Sequence, residues 1–150
     1  MKNSLVHLAF AVLVLFVGAA VEELLPKCGG VGVPVLLTAV FFNATRGRLS
    51  YVVSFALAAG ALEDALGALP PAASVSFFLL AALFQRWRAL SLWIVAVAYP
   101  AYHLWLWVWA SGVGSVLARV ATAVPFGALS AVAVGAVLEW TYGKAAVRER

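Results

Sequence analysis

The sequence predicts an all-α protein, a polytopic transmembrane bundle of about six helices forming a single integral membrane domain over residues 1–150. Three observations predict it. Hydrophobic residues make up 65% of the chain and charged residues only 11%, against about 25% charged in a typical soluble domain. A chain this short has a high surface-to-volume ratio, so it cannot hide that much apolar side chain from water, and lipid must solvate much of its surface. The apolar residues fall into six runs cut by charges, glycines and prolines, and the basic residues alternate unevenly between the two sides of those runs.

The runs follow one another with short connections. The first covers 5–25 and ends at Pro26, Lys27 and the pair Gly29 and Gly30. The second covers 31–44, with Pro34 near its start, where a missing backbone N–H costs little, and ends at Arg46, Gly47 and Arg48. The third covers 49–69 and closes on Pro70 and Pro71. The fourth covers 72–84 and ends in the polar stretch Gln85, Arg86, Trp87 and Arg88. The fifth covers 89–110 and leads into the Ser/Gly turn 111–115. The sixth covers 116–142 and stops at Gly143 and Lys144, leaving a short tail predicted to fray. Lipid offers nothing to open backbone groups, so spans are helices or closed barrels. Barrel strands alternate polar and apolar residues, which 5–17 and 35–42 do not. The second and fourth runs reach only about 20 Å as helices, short of a ~30 Å hydrocarbon core.

Orientation follows from the basic residues at the ends of the runs. Counting alternate sides, Lys2, Arg46, Arg48, Arg86, Arg88, Lys144, Arg148 and Arg150 fall together, and only Lys27 and Arg119 fall opposite. This asymmetry predicts both termini in the cytoplasm, with Glu22, Glu23, Glu63 and Asp64 toward the outer side. Lys2, the apolar run 5–17 and the small residues Gly18, Ala19 and Ala20 also fit a cleavable signal peptide. The run continues to Leu25, past the candidate cleavage site, which favours a retained span. The triplet Asn43-Ala44-Thr45 matches a glycosylation sequon, but this topology puts it inside, where it is a chance match.

Several chemistries find no support in the sequence. Cys28 is the only cysteine, so no internal disulfide forms. With His7 and His103 the only histidines, no structural zinc or iron–sulfur pattern is present. Phosphate-binding glycine loops, HExxH and nucleophile elbows are missing. The basic residues are scattered rather than gathered as nucleic-acid binders gather them. The expectation is a protein that is not an enzyme, takes no cofactor or metal and has the lipid bilayer as its surroundings.

The candidate functional residues are few. Glu63 and Asp64 end the third run, about 21 Å from its start at Leu49, and so near the outer boundary. Either they are hydrated carboxylates, or Asp64 braces the turn toward Pro70 and Pro71 or pairs with a partner's cation while Glu63 faces water. Ala56 and Gly60, four apart, are placed to let a neighbouring helix come close. Trp105, Trp107 and Trp109 form an aromatic belt at the headgroups or a partner-binding stripe. Tyr99, Tyr102, Trp105 and Trp109 fall on one face. His103 beside them reads as a satisfied interhelical hydrogen-bonder, and Pro100 as a kink in the fifth helix. Arg46, Arg48, Arg86 and Arg88 are topology anchors attracted to anionic lipid. Glu139 is placed to pair with Lys144 or a loop arginine.

The segment Ala58-Ala59-Gly60-Ala61-Leu62-Glu63-Asp64-Ala65 resembles the G-L-x-x-D helix end of the MreD family, the rod shape-determining membrane proteins of bacteria. A short second span led by Pro34 precedes the small-residue third span, as in that family, and the match covers roughly residues 31–88. It departs from the family at Val35, where an acidic residue is frequent, and at Pro70-Pro71-Ala72, where a glycine is. The resemblance implies a six-helix bundle of the kind MreD is thought to share with substrate-binding subunits of energy-coupling-factor vitamin transporters. It also implies a non-enzymatic inner-membrane scaffold of the cell-elongation machinery, working with MreC-like and MreB-like proteins and peptidoglycan synthases.

The competing reading is the transporter subunit itself. A polar vitamin needs convergent polar groups, and the spans offer little beyond Thr38, Ser54, Ser74, Ser76, His103, Thr122 and Ser130. Those subunits also tend to carry small residues four apart on the first helix, whereas Ala9 and Ala11 are followed by Leu13 and Leu15.

Overall fold

Each apolar run folds as one helix. In the computed structural model these are α1 (Lys2–Leu24), α2 (Val35–Ala44), α3 (Leu49–Leu66), α4 (Ala73–Arg88), α5 (Val95–Trp109) and α6 (Val116–Val147), with a 3-10 turn over Leu92–Ile94 ahead of α5. The structure describes residues 2–28, 31–67, 69–109 and 116–147. The turn 111–115, the pair Gly29 and Gly30, and the tail residues Arg148 and Arg150 lie outside the described residues. Three stretches are long and apolar enough to cross a membrane, namely Leu49–Leu66, Leu92–Trp109 and Val116–Gly143, while Val35–Ala44 is apolar but shorter.

The boundaries differ from the sequence expectation at several ends. Residues 31–34 are not helical; Val31 pairs with Cys28 in an isolated bridge, and α2 begins only after Pro34. Helix α3 ends at Leu66, three residues early, with Gly67 at its C-cap. The polar stretch 85–88 is no loop but the last turn of α4, where Arg86 and Arg88 favour the negative end of the helix dipole. Helix α6 passes through Gly143 to Val147. Pro100 lies inside α5 and Pro125 inside α6, and both helices continue through them, as membrane helices tolerate.

Helix α2 is the centre of the fold. It touches α1, α3, α4, α5 and α6, and all ten of its residues are buried. A helix apolar all round belongs in a core, and one this short is marginal in isolation, so its neighbours must hold it. The core around it includes Leu36, Phe41, Phe42, Val52, Phe55, Phe78 and Tyr99. Phe16, Leu80, Val97, Leu117 and Val137 point outward, an extensive apolar exterior that a monomer in water rarely carries. Helices α5 and α6 form the most extensive pair, followed by α3 and α4.

Glycine sets the closeness of both pairs. A Cβ on Gly60 would lie 2.5 Å from the Val75 Cα and 2.7 Å from its N, so α3 meets the start of α4 backbone to backbone. A Cβ on Gly127 would lie 2.8 Å from the Val95 carbonyl oxygen, joining α6 to α5 in the same way. Ala72 and Ala89, at the two ends of α4, have φ of 69° and 46°. This left-handed backbone is costly for a residue with a Cβ.

Candidate functional site

The residues singled out at the end of α3 form a joint between three helices. Asp64 is buried at 8% exposure. Its Oδ1 accepts the Ser74 backbone N–H at 2.7 Å. Ser74 is the second residue of α4, whose own N-cap, Ala72, provides no side-chain acceptor. The first N–H groups of a helix have no partner within it, so a carboxylate from the preceding helix supplies the cap. Its negative charge also suits the positive end of the α4 dipole. Gly60, one turn before Asp64, brings the α3 backbone close enough for this bond.

Helix α5 latches onto the same point. The Ser74 hydroxyl and the Tyr102 hydroxyl lie 2.5 Å apart, and the Trp105 indole Nε1 donates to the Ala73 carbonyl oxygen at 2.9 Å. Tyr102 packs against Phe77 and Phe78, and Tyr99 stacks on Tyr102 with ring centroids 6.3 Å apart. Tyr99 and Tyr102 are therefore core residues. Trp107 and Trp109 are about half exposed, at 50% and 45%. Trp105 leaves the expected belt because its N–H is used inside the protein.

The structure answers several expectations, some of them differently. Asp64 is buried at a helix start, so of its two roles the geometry carries the bracing one, and its Oδ2 has no hydrogen-bond partner among the described residues. Glu63, expected to face water, is half-buried, in the electrostatic neighbourhood of Lys27 and Glu23. Gly60 meets the start of α4, and Ala56 is fully buried. His103 packs edge-on against Tyr99 at 4.7 Å, but its Nε2 has no hydrogen-bond partner among the described residues. Its polar end was expected to be satisfied. Glu139 pairs with the loop arginine, Arg46, at 3.3 Å.

Sequence reasoning missed a second carboxylate of the same kind. Glu22, buried at 9% exposure, lies on α1 and accepts the Leu36 N–H of α2 at 3.0 Å. Leu36 is the second residue of its helix, as Ser74 is of α4, and the α2 N-cap Pro34 likewise gives no side-chain acceptor. Gly18 precedes Glu22 by four residues, as Gly60 precedes Asp64, and its own Cβ would only touch Leu36 and Val35 side chains at 3.4 Å. That shared glycine-to-acid spacing was the available signal. Its sequence neighbour Glu23 instead makes an exposed ion pair with Lys27 at 2.8 Å.

Elsewhere the polar side chains are spent inside the bundle. The Thr38 and Ser130 hydroxyls lie 2.6 Å apart and both lie within hydrogen-bond reach of the Pro34 carbonyl oxygen, so one donates to that oxygen and the other to its neighbouring hydroxyl. Ser76 bonds back to Ala72, and Thr122 to Ala118. Among the described residues no group of three or more His, Cys, Asp or Glu side chains could hold a metal ion. At the opposite end of the bundle, Arg86 donates to the Gly47 carbonyl oxygen at 2.6 Å. This ties α4's last turn to the loop between α2 and α3. Arg46 lies over the Phe42 ring at 3.9 Å, and Arg48 and Arg88 are exposed. No protein-family model matches the chain, and neither does any curated protein or solved structure.

Proposed function

We propose that this chain is a non-enzymatic scaffold of the bacterial cell-elongation machinery. It crosses the cytoplasmic membrane six times with both termini inside, and it positions MreC-like and MreB-like proteins and the synthases that insert lateral peptidoglycan. The observation that carries the reading is the joint at Gly60 and Asp64. These are the residues on which the resemblance to MreD rests, and they close α3 onto the start of α4, where Ser74 and Ala73 in turn hold α5. A motif spent on rigidity suits a protein that holds others in place.

The distribution of polar groups supports this reading over the transporter subunit. Binding a polar vitamin takes several convergent, uncommitted donors and acceptors. Of the polar side chains that the spans offer, Thr38, Ser74, Ser76, Thr122 and Ser130 are already bonded to backbone or to one another. The test is co-expression of the tagged chain with an MreC-like protein and, separately, with the ATP-binding pair and coupling subunit of an energy-coupling-factor transporter. Retention of the MreC-like protein through purification is the expected result. Retention of the transporter subunits in its place would overturn the proposal.

A further inference from the structure

We infer that the side of the bundle formed by α3, α4 and α5 is a surface for phospholipids with short acyl chains, and that the bilayer is thinned along this side but not along α6. The inference rests on the reading that the chain spans a membrane. It does not depend on which end faces the cytoplasm or on which proteins the chain assembles with.

Contacts between the helices fix a common level at each end of this side. At one end, Arg86 donates to the Gly47 carbonyl oxygen at 2.6 Å, so the last turn of α4 lies level with the start of α3. Trp87 belongs to that turn, and Trp93 follows across a short connection ahead of α5. Arg48, Trp87 and Trp93 are all exposed there. At the other end, Asp64 accepts the Ser74 N–H and Trp105 donates to the Ala73 carbonyl oxygen. The end of α3, the start of α4 and the last turns of α5, where Trp107 is exposed, therefore lie level as well.

The distance between the two levels is short. At a rise of about 1.5 Å per residue, Arg48 to Asp64 is about 24 Å, Ala73 to Trp87 about 21 Å and Trp93 to Trp107 about 21 Å. Taking Trp109 in place of Trp107 adds only about 3 Å, and any tilt shortens the band further. Three helices thus agree on a band well under the ~30 Å hydrocarbon core. Leu57, Leu80, Leu83, Val97 and Leu104 are exposed between the levels, as a lipid-facing surface requires. Tryptophan settles where hydrocarbon meets headgroups, so Trp87, Trp93 and Trp107 mark the edges of this band.

Helix α6 has a longer band. Glu139 pairs with Arg46 at 3.3 Å, which sets Trp140 level with the α2–α3 loop. From Trp140 back to Arg119 is about 32 Å, a match for the full core. Helix α6 touches α5 and α2 but, among the described residues, neither α3 nor α4, so the α3–α4 pair and α6 lie on different sides of α2. Tilting relieves a stretch that is too long and does nothing for one that is too short. A bilayer meets a short band by thinning, and short acyl chains do this with the least strain.

The test compares the two sides directly. In a Cys28→Ser background, Leu80→Cys on α4 and Val132→Cys on α6, at positions 57% and 53% exposed, each carry a fluorophore. The proteins are reconstituted in vesicles of brominated dioleoylphosphatidylcholine, which quenches the probe, with dimyristoleoyl- or dierucoylphosphatidylcholine as competitor. At Leu80→Cys the short-chain lipid should relieve quenching at least about twofold better than the long-chain lipid. At Val132→Cys the two should be near parity. The unmodified protein gives a second reading, since it should melt at a higher temperature in dimyristoleoyl- than in dierucoylphosphatidylcholine, and the reverse order would overturn the inference. So would equal preference at the two probes, or no preference at Leu80→Cys. Absence of quenching at Leu80→Cys in every lipid would show that a second copy of the chain covers this side, and would overturn it too. Failure of the chain to enter vesicles at all would overturn the membrane reading along with it.

Discussion

Glu22 and Asp64 do the same work at two places in the fold. Each lies near the end of one helix, four residues after a glycine, and accepts the N–H of the second residue of the next helix, at 3.0 Å and 2.7 Å. The two helices they cap, α2 and α4, are those whose apolar runs are too short to cross a membrane comfortably. Capping matters most there, because a short helix begins within protein and has no water to satisfy its first N–H groups.

The first prediction concerns these caps. Asp64→Ala should destabilise the detergent-solubilised protein by about 1 kcal/mol or more, the typical cost of a lost N-cap. Asp64→Asn keeps the acceptor and should cost distinctly less. Glu22→Ala should behave like Asp64→Ala, whereas Glu23→Ala, which removes only an exposed ion pair, should change little. Thermal unfolding followed by circular dichroism reads all four. Wild-type stability in both Asp64→Ala and Glu22→Ala would show that the caps contribute nothing.

The second prediction concerns Gly60. An alanine there would place Cβ 2.5 Å from the Val75 Cα, and backbone cannot swing aside as a side-chain tip can. Gly60→Ala should cost about 1–3 kcal/mol through overpacking and lower the folded yield in membranes. Gly143, with nothing within 4 Å, is the internal control, and Gly143→Ala should be neutral or slightly stabilising. Equal behaviour of the two variants would place Gly60 away from α4.

The contrast between Glu22 and Glu23 shows where the sequence was legible and where it was not. The helices were readable because long apolar runs in lipid have few other options. The joint at Gly60 and Asp64 was half readable: small residues ahead of an acid announce a close approach, but not which helix approaches. Adjacent glutamates look alike in sequence, and only the fold turns Glu22 inward onto α2 and leaves Glu23 beside Lys27. Trp105 was misplaced for a related reason. Spacing puts it on a face with Trp109, but the direction of its N–H depends on the Ala73 carbonyl of another helix. The stretch 85–88 read as a loop because it is polar. It is helical because the Gln85 side chain is buried and donates to the Leu90 carbonyl oxygen, while Arg86 reaches the Gly47 loop.

The end of the bundle that faces the cytoplasm decides where any cytoplasmic partner can bind, and Cys28, the only cysteine, allows a direct measurement. Its side chain is free and exposed at the end opposite the arginine cluster. A membrane-impermeant maleimide applied to intact spheroplasts should label Cys28 in the wild type. In a Cys28→Ser background, Thr45→Cys in the exposed α2–α3 loop should be labelled only after the membrane is permeabilised. Labelling of Thr45→Cys, and not of Cys28, in intact spheroplasts would contradict the account.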